Sequence, residues 1–181
     1  MSEKTVDIPE EVEARAEKSM VFIKGPKGEL SRDFRHPRVE VSVSPGKVTF
    51  KSSDDKKKTL ALLGTFASHV RNMSKGVTMG WEAALKVVYS HFPMKVGVAG
   101  DEVEIQNFMG ERKSRKTRIV GQTRVEVKKD EIIVTGIDKE DVGQTAANIE
   151  LLTRVSGFDK RVFQDGCYIT RKCAVAESQK G

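Results

Sequence analysis

Two cysteines, five prolines, three histidines and one tryptophan are all that the 181 residues contain of those types, and aromatic residues make up only 6%. Each shortage removes a class of function. Cys167 and Cys173 are separated by five residues and have no companion Cys or His nearby, so they offer neither zinc-ligand spacing nor a disulfide framework and read as reduced, partly buried thiols. No apolar run approaches the roughly 20 residues of a membrane-spanning helix, and the opening "MSEKTVDIPEE" lacks the apolar stretch of a signal peptide. The expectation is a soluble, cytoplasmic protein without a membrane partner. His36, His69 and His91 are scattered and lack a spaced acid or nucleophile, so each reads as a surface or hydrogen-bonded structural histidine. No Gly-Lys-Ser/Thr phosphate loop and no Gly-x-Gly-x-x-Gly after a strand is present, which argues against nucleotide cofactors. The chain is expected to need no cofactor, to take no small-molecule substrate and to catalyse no reaction.

What the chain does contain is charge and a repeat. Charged residues make up 32%, with a formal net charge of +6 and a pI near 9.3, a mild bias toward a polyanionic partner. Sliding the sequence along itself by 86 positions aligns "VEVSVSPGKVTFKSSDDKKKTLA" (Val39 to Ala61) with "VEVKKDEIIVTGIDKEDVGQTAA" (Val125 to Ala147), with eight identities in 23 positions. Both copies run strand, turn, β-branched strand, acidic stretch, helix. Leu60, Leu63, Phe66, Ala67 and Val70 recur at helical spacing in the first, and Ala146, Ile149, Leu152 and Val155 in the second. Asp54 and Asp55, like Asp138, Glu140 and Asp141, stand where a helix N-terminus favours acid. The acids of the second copy lack the order of a calcium loop, and helix entry accounts for them.

A hairpin pattern precedes each copy: Val21 and Ile23, a Gly25-Pro26-Lys27-Gly28 turn, then Leu30 and Phe34; and Val103 and Ile105, a turn at Gly110, then Ile119. The Gly-x-x-Gly turn resembles the backbone clamp of K-homology domains, but it joins two strand-like runs rather than two helices, so a turn exposing Lys27 is the better reading. "EEVEARAEK" and "WEAALKVVYSHF" fit helix and strand patterns alike; the repeat favours strands in both, an edge strand in the first. "NMSKGVTMG" (Asn72 to Gly80) reads as the end of the first helix and the start of a linker. The fold class expected is α+β, two tandem copies of a small antiparallel β-sheet packed with one α-helix, with domains over 1–80 and 81–181.

The charge is unevenly placed. Residues 1–80 carry 15 bases against 11 acids and residues 81–181 carry 17 against 15, so clustering rather than total charge marks a binding surface. "GERKSRKTR" sets Lys113, Arg115, Lys116 and Arg118, with Arg112, on the tip and return strand of a hairpin. Arg154, Lys160 and Arg161 follow the second helix, and Arg171 and Lys172 lie beyond them, on what read as loops and ends. With so few aromatics there is no stacking platform of the single-strand-binder kind, and a contact that reads backbone and shape of folded RNA fits better.

Six stretches carry a resemblance that runs from end to end: Ile23 to Leu30, "NMSKGVTMG", "VYSHFP" (Val88 to Pro93), "NFMGE" (Asn107 to Glu111), "VTGIDKEDVGQTAANIE" (Val134 to Glu150) and "RVFQDGCYI" (Arg161 to Ile169). Together they resemble the ribosomal protein L6 family of the large ribosomal subunit, in its archaeal and eukaryotic type. The resemblance implies a duplicated α+β fold and a structural constituent of the large subunit. It further implies binding of 23S-type rRNA, mainly by the second domain, near the base of the factor-binding stalk and the sarcin-ricin loop, beside neighbouring ribosomal proteins. Carried onto this chain, the RNA-facing segment covers Lys139, Gln144, Asn148, Arg154, Lys160 and Arg161, with Arg171 and Lys172 behind them. The hairpin bases Lys113, Arg115, Lys116 and Arg118 join them on charge alone. Where bacterial members carry a Pro-containing Gly-Lys-Gly segment, this chain has "RVSGFDKRVFQDG", and Glu150 occupies a helix position that is basic in some relatives. A free-standing regulatory RNA-binding protein is the alternative reading.

Overall fold

Two strings of six strands and a helix account for almost the whole chain in the computed structural model, which describes residues 2–176. The first comprises β1 (Glu3–Asp7), β2 (Glu13–Glu17), β3 (Met20–Gly25), β4 (Gly28–Asp33), β5 (Val39–Ser44), β6 (Lys47–Ser52) and α1 (Lys57–Thr78). The second comprises β7 (Trp81–Val88), β8 (Lys95–Ala99), β9 (Glu102–Gln106), a 3-10 turn at Phe108–Gly110, β10 (Arg115–Arg118), β11 (Arg124–Lys128), β12 (Glu131–Gly136) and α2 (Lys139–Leu152), followed by β13 (Gly166–Val175). They form two compact units that meet in sequence between Gly80 and Trp81.

The duplication extends well beyond the stretch of sequence identity. The first unit has sheets ordered β1-β6-β5 and β2-β3-β4; the second has β7-β12-β11, extended by β13 on the far side of β7, and β8-β9-β10. Every pairing is antiparallel. Each copy therefore contains two small sheets and one helix, where the sequence suggests a single sheet. The offset differs too. The tight turns Pro45-Gly46 and Lys129-Asp130 lie 84 positions apart, because Ser44 pairs with Lys47 and Lys128 with Glu131. Buried helix residues keep the 86-residue offset: Thr59 and Leu63 correspond to Thr145 and Ile149. The second copy has the two extra residues in its helix start: α2 begins six residues before Thr145 and α1 two before Thr59, while the connection before α2 is two residues shorter; a slip of two leaves every strand side chain on its original face.

Both ambiguous segments are strands. In β2, Ala14 and Ala16 are half-buried between exposed Glu13, Arg15 and Glu17 on a sheet edge. In β7, Trp81, Ala83, Leu85 and Val87 are buried, and so is Ala84, because this strand lies between β12 and β13. Three strands had no sequence signal: β1, β8 and β13.

The helices differ from expectation at their ends. Asn72 to Thr78 is helix, not linker, and Met73, Ser74, Gly76 and Val77 are buried along it. Leu60, expected inward, is 40% exposed. Asp54 and Asp55 stand before α1 rather than in its first turn; Asp54 takes the Arg38 guanidinium at 3.0 Å and Asp55 accepts the Ser2 hydroxyl at 2.6 Å. In α2 the acids do cap the helix, with Asp138 accepting the Glu140 amide at 2.8 Å. Val155 is buried but lies past the end of α2.

Each helix covers its own core. Phe34, Phe50 and Phe66 meet at 5.1–5.7 Å between ring centroids in the first unit, beside Val21, Ile23, Val48, Leu63 and Val70. Trp81, Leu85, Ile105, Phe108, Ile132, Val142 and Ile149 fill the second. The Gly25–Gly28 turn packs on the end of α1, with the Lys27 amide donating to Val77 O at 2.9 Å and Lys27 Nζ donating to Met79 O. Lys27 is thus a helix cap rather than a projecting cation. A Cβ on Gly25 would lie 2.7 Å from Val77 Cγ2 and 2.9 Å from Val77 O. Gly25→Ala is therefore expected to destabilise the chain by about 1–3 kcal/mol through overpacking, seen as a lower midpoint in thermal or urea unfolding; an unchanged midpoint would contradict this packing.

Candidate RNA interface

Of the twelve sequence-predicted residues, Lys139, Arg171 and Lys172 lie toward the N-terminal end of α2, Arg154, Lys160 and Arg161 follow its C-terminal end, Gln144 and Asn148 lie along it, and Lys113, Arg115, Lys116 and Arg118 lie on or before β10; the 14 residues of α2 span about 20 Å. At its N-terminal end, Lys139 is half-buried with Nζ 4.7 Å from the Trp81 ring centroid, and Cys173 Sγ approaches Lys139 O at 3.7 Å. Arg171 and Lys172 belong to this end. They sit within β13 rather than on a loop, and Arg171 is ion-paired with Glu82 on the neighbouring strand.

The other end collects three loops. Thr153 closes α2: its hydroxyl donates to Glu150 O at 3.2 Å and accepts the Cys167 amide at 2.8 Å, drawing the start of β13 back to the helix end. Between them runs the segment carrying Arg154, Lys160 and Arg161. Arg154 and Lys160 are exposed and have no ion pair or side-chain hydrogen bond among the described residues. Arg161 pairs with Asp159 at 3.1 Å, but its side chain is 90% exposed, and such pairs break at little cost. Gln144 and Asn148 lie on α2 itself, joined by a 2.8 Å hydrogen bond from Nε2 to Oδ1, so each has polar capacity left over.

One base of the hairpin, Arg115, is spent on the fold. Arg115 donates to Glu111 at 2.9 and 2.6 Å and to Leu152 O at 2.7 Å, and its guanidinium lies 4.3 Å from the Phe108 centroid. Those contacts hold the Glu111 carboxyl below its ordinary pKa, through the Arg115 hydrogen bond. Lys116 and Arg118 are exposed but stand directly across from Glu104 and Glu102 on β9. Arg112 and Lys113, in the turn before β10, remain without such partners among the described residues.

The residue that sequence reasoning missed is Asp165. It is fully buried and accepts from Ser90 N (3.1 Å), Ser90 Oγ (3.0 Å), His91 N (3.2 Å), His91 Nδ1 (3.2 Å) and Phe92 N (3.4 Å). Burial alone pushes its carboxyl pKa up, yet the His91 and Ser90 hydrogen bonds outweigh it and hold the value at about 2. Ser, His and Asp here are no catalytic triad. Ser90 Oγ and Asp165 both meet the same ring nitrogen, whereas a triad needs nucleophile and acid on opposite nitrogens. The cluster is a clamp between two loops. The third joins through Asn107 Nδ2, which donates to Pro93 O at 3.0 Å, and through Phe92, whose ring lies 3.1 Å from where a Gly110 Cβ would be. A lone buried Asp carries no signal in one sequence, although "YSHFP", "NFMGE" and "RVFQDG" all end up at this site.

No cluster of His, Cys, Asp and Glu among the described residues is arranged to hold a metal ion, and none of their helices is long and apolar enough to cross a membrane. An open groove of about 400 Å³ in the first unit is lined mainly by Ile8, Val12, Ala14, Val43 and Pro45, with Glu13, Arg15 and Ser44 as its polar residues.

Two stability outcomes follow from these contacts. Arg115→Ala should lower stability by about 2 kcal/mol, since it leaves Leu152 O and the Phe108 face uncovered, whereas Lys113→Ala should leave it within about 0.5 kcal/mol; chemical unfolding of both variants separates them. For Asp165, a folded-state pKa of about 2 against 3.8 when unfolded means stability present above pH 3.8 and lost as pH falls toward 2. Asp165→Asn should therefore cost about 2 kcal/mol at neutral pH, and the gap to wild type should close on acidification through that window. A gap that stays constant down to pH 2 would contradict the clamp.

The Ribosomal protein L6 family model matches residues 8–80 and 92–166, one stretch in each unit. Three relatives carry the name Large ribosomal subunit protein uL6. That of Methanothrix thermoacetophila is 52% identical over 167 residues, covering 92% of this chain and 95% of the relative. Those of Haloarcula marismortui (50% over 167 residues, 92% and 94% covered) and Methanosarcina mazei (46% over 169 residues, 93% and 96%) are similar throughout as well. On both grounds, the chain belongs to the ribosomal protein L6 family.

Proposed function

We propose that this protein is a structural, non-catalytic constituent of the large ribosomal subunit that binds 23S-type rRNA through its second unit, near the base of the factor-binding stalk and the sarcin-ricin loop. Its place of work is then the cytoplasmic ribosome, with neighbouring ribosomal proteins as further partners. Family membership supports the subunit, and the observation that carries the interface is the distribution of unspent charge. Arg154 and Lys160, with Arg112 and Lys113, are exposed in the second unit without an ion pair among the described residues, while Arg115 of the same cluster is bound to Leu152 O and the Glu111 carboxylate.

The contact works by phosphate neutralisation. Each phosphate met by a Lys or Arg releases condensed counterions, so log affinity falls with log salt by about 0.7 to 0.9 per contact. Gln144 and Asn148 supply hydrogen bonds to sugar or base edges from the helix face, and the hydrogen bond between them fixes both side chains beforehand. Arg161 joins by exchanging Asp159 for a phosphate. Lys139, Arg171 and Lys172, at the other end of α2, would reach a separate stretch of RNA; of these Lys172 is the least engaged within the protein. Arg115, Lys116 and Arg118 contribute mainly by shaping the hairpin that presents Lys113.

Reversal of Arg154, Lys160 and Arg161 to Glu together is expected to leave the melting temperature within a few degrees of wild type and to prevent incorporation into large subunits, followed by co-sedimentation. Normal incorporation of the folded triple variant would rule out this interface. Tight binding to one isolated transcript, without co-sedimentation of the wild-type chain, would favour the regulatory alternative.

A further inference from the structure

The loop between α2 and β13 is held more firmly than any connection needs to be. Its two ends meet through Thr153 and Cys167, at 2.8 Å, and a Cβ on Gly166 would lie 3.2 Å from Thr153 O, so the ends are in close contact. Its flank is clamped by buried Asp165 to residues 90–92. Such a compact, self-anchored surface loop presents its tip in one arrangement, and its ordering costs conformational entropy. The fold does not require it. In the first unit the helix simply runs on to Thr78, burying Met73 and Val77 at positions equivalent to this loop.

The loop presents two large apolar side chains, Val162 at 58% exposure and the aromatic Phe158. Phe158 is 53% exposed and lies 4.9 Å from Phe163, which in turn lies 4.6 Å from His91 at an interplanar angle of 31°. Phe163 packs on the core, so Phe158 rests on a fixed support while half its surface stays uncovered. An exposed ring on a fixed support is available to stack without rearrangement of the loop. The immediate neighbours in sequence choose the ligand. Arg154 and Lys160 carry unspent positive charge and Arg161 is only loosely paired, against Asp159 alone on the acidic side. An aromatic face bracketed by cations matches a nucleotide, whose base stacks while its phosphates meet the cations.

We propose that Phe158, backed by Phe163 and His91, stacks on an unpaired base of the bound RNA. This rests on the RNA-binding reading above and adds to phosphate contact a site that selects a single-stranded or bulged position. Sequence composition argued against a stacking platform for a whole single strand; one ring on a pinned loop is enough for one extruded base.

The test uses the full chain and deproteinised large-subunit rRNA from the cells that make it, titrated over a range of salt. Phe158→Ala and Phe158→Leu should each weaken binding about tenfold, with an unchanged slope of log affinity against log salt and an unchanged melting temperature, because stacking displaces no counterions. Phe158→Trp should retain affinity, and its fluorescence should be quenched on binding; Trp81, at 5% exposure, supplies a background that RNA does not reach. Wild-type affinity in Phe158→Leu overturns stacking in favour of simple apolar contact. Wild-type affinity in both small variants, combined with their loss from salt-washed subunits, overturns it in favour of a protein neighbour, and in either case the phosphate interface stands. Failure of the wild-type chain to bind this rRNA overturns the RNA-binding reading itself, and the stacking site with it.

Discussion

Each half of this molecule depends on a cation delivered to the end of its helix. The last carbonyls of a helix lack amide partners, carry the negative end of the macrodipole and lose free energy if they are buried unmet. In the first unit Lys27, at the tip of the β3–β4 hairpin, donates to Met79 O. In the second, Arg115, at the start of β10 in the corresponding hairpin, donates to Leu152 O at 2.7 Å. The residue type and the turn differ, yet the solution is shared: the three-stranded sheet is fastened to the helix at one electrostatic point. That point sets where the helix stops, and what the chain does afterwards is where the two copies part.

After α1 the chain reaches Gly80 at once and starts β7. After α2 it spends thirteen residues, 153–165, before β13 begins, and those residues include Arg154 and Lys160, which have no ion pair among the described residues. Shortening the helix removes a buried stripe like the one formed by Met73 and Val77, and something must replace its hold on the core. Val155 and Phe163 supply the apolar part, one buried and one half-buried, and Asp165 supplies the polar part by collecting five hydrogen bonds. The duplicated scaffold thus has one copy finished for stability and one finished as a presented loop.

Much of this was legible in the sequence and some could not have been. Alternation left β7 and β2 open between helix and strand and the repeat favoured strands; Trp81, Ala83, Leu85 and Val87 all face one core and Ala14 and Ala16 line an edge. The repeat was visible because identical residues persist where both faces matter. It misaligned the hairpins by two because a shift of one pleat period costs nothing in pattern matching. Asn72 to Thr78 looked like a linker because Gly76 and Ser74 are poor helix formers, and only tertiary packing makes small residues an advantage there. β13 was hidden because its alternation is broken by two register shifts, around Arg171. Asp165 was hidden because a carboxylate is read as surface until its donors are seen.

Cation density alone does not show which bases already have partners within the fold. "GERKSRKTR" is the densest basic run in the chain, but in three dimensions Arg115 belongs to a helix terminus, and Lys116 and Arg118 face Glu104 and Glu102 across a strand pair. A cation already coordinated must give up those bonds before it can take a phosphate, so its net contribution to RNA affinity is the difference between two similar interactions. Arg154 and Lys160 face no such exchange. They lie in a sparser run, interrupted by Gly157 and Asp159, and on composition alone would rank below the hairpin. The loop bearing them is pinned at both ends and along one side, and a charge held in place loses less entropy on binding an anion than a mobile one. Of the hairpin bases Arg115 holds the helix end, whereas Arg154 and Lys160 on the loop have no ion pair among the described residues.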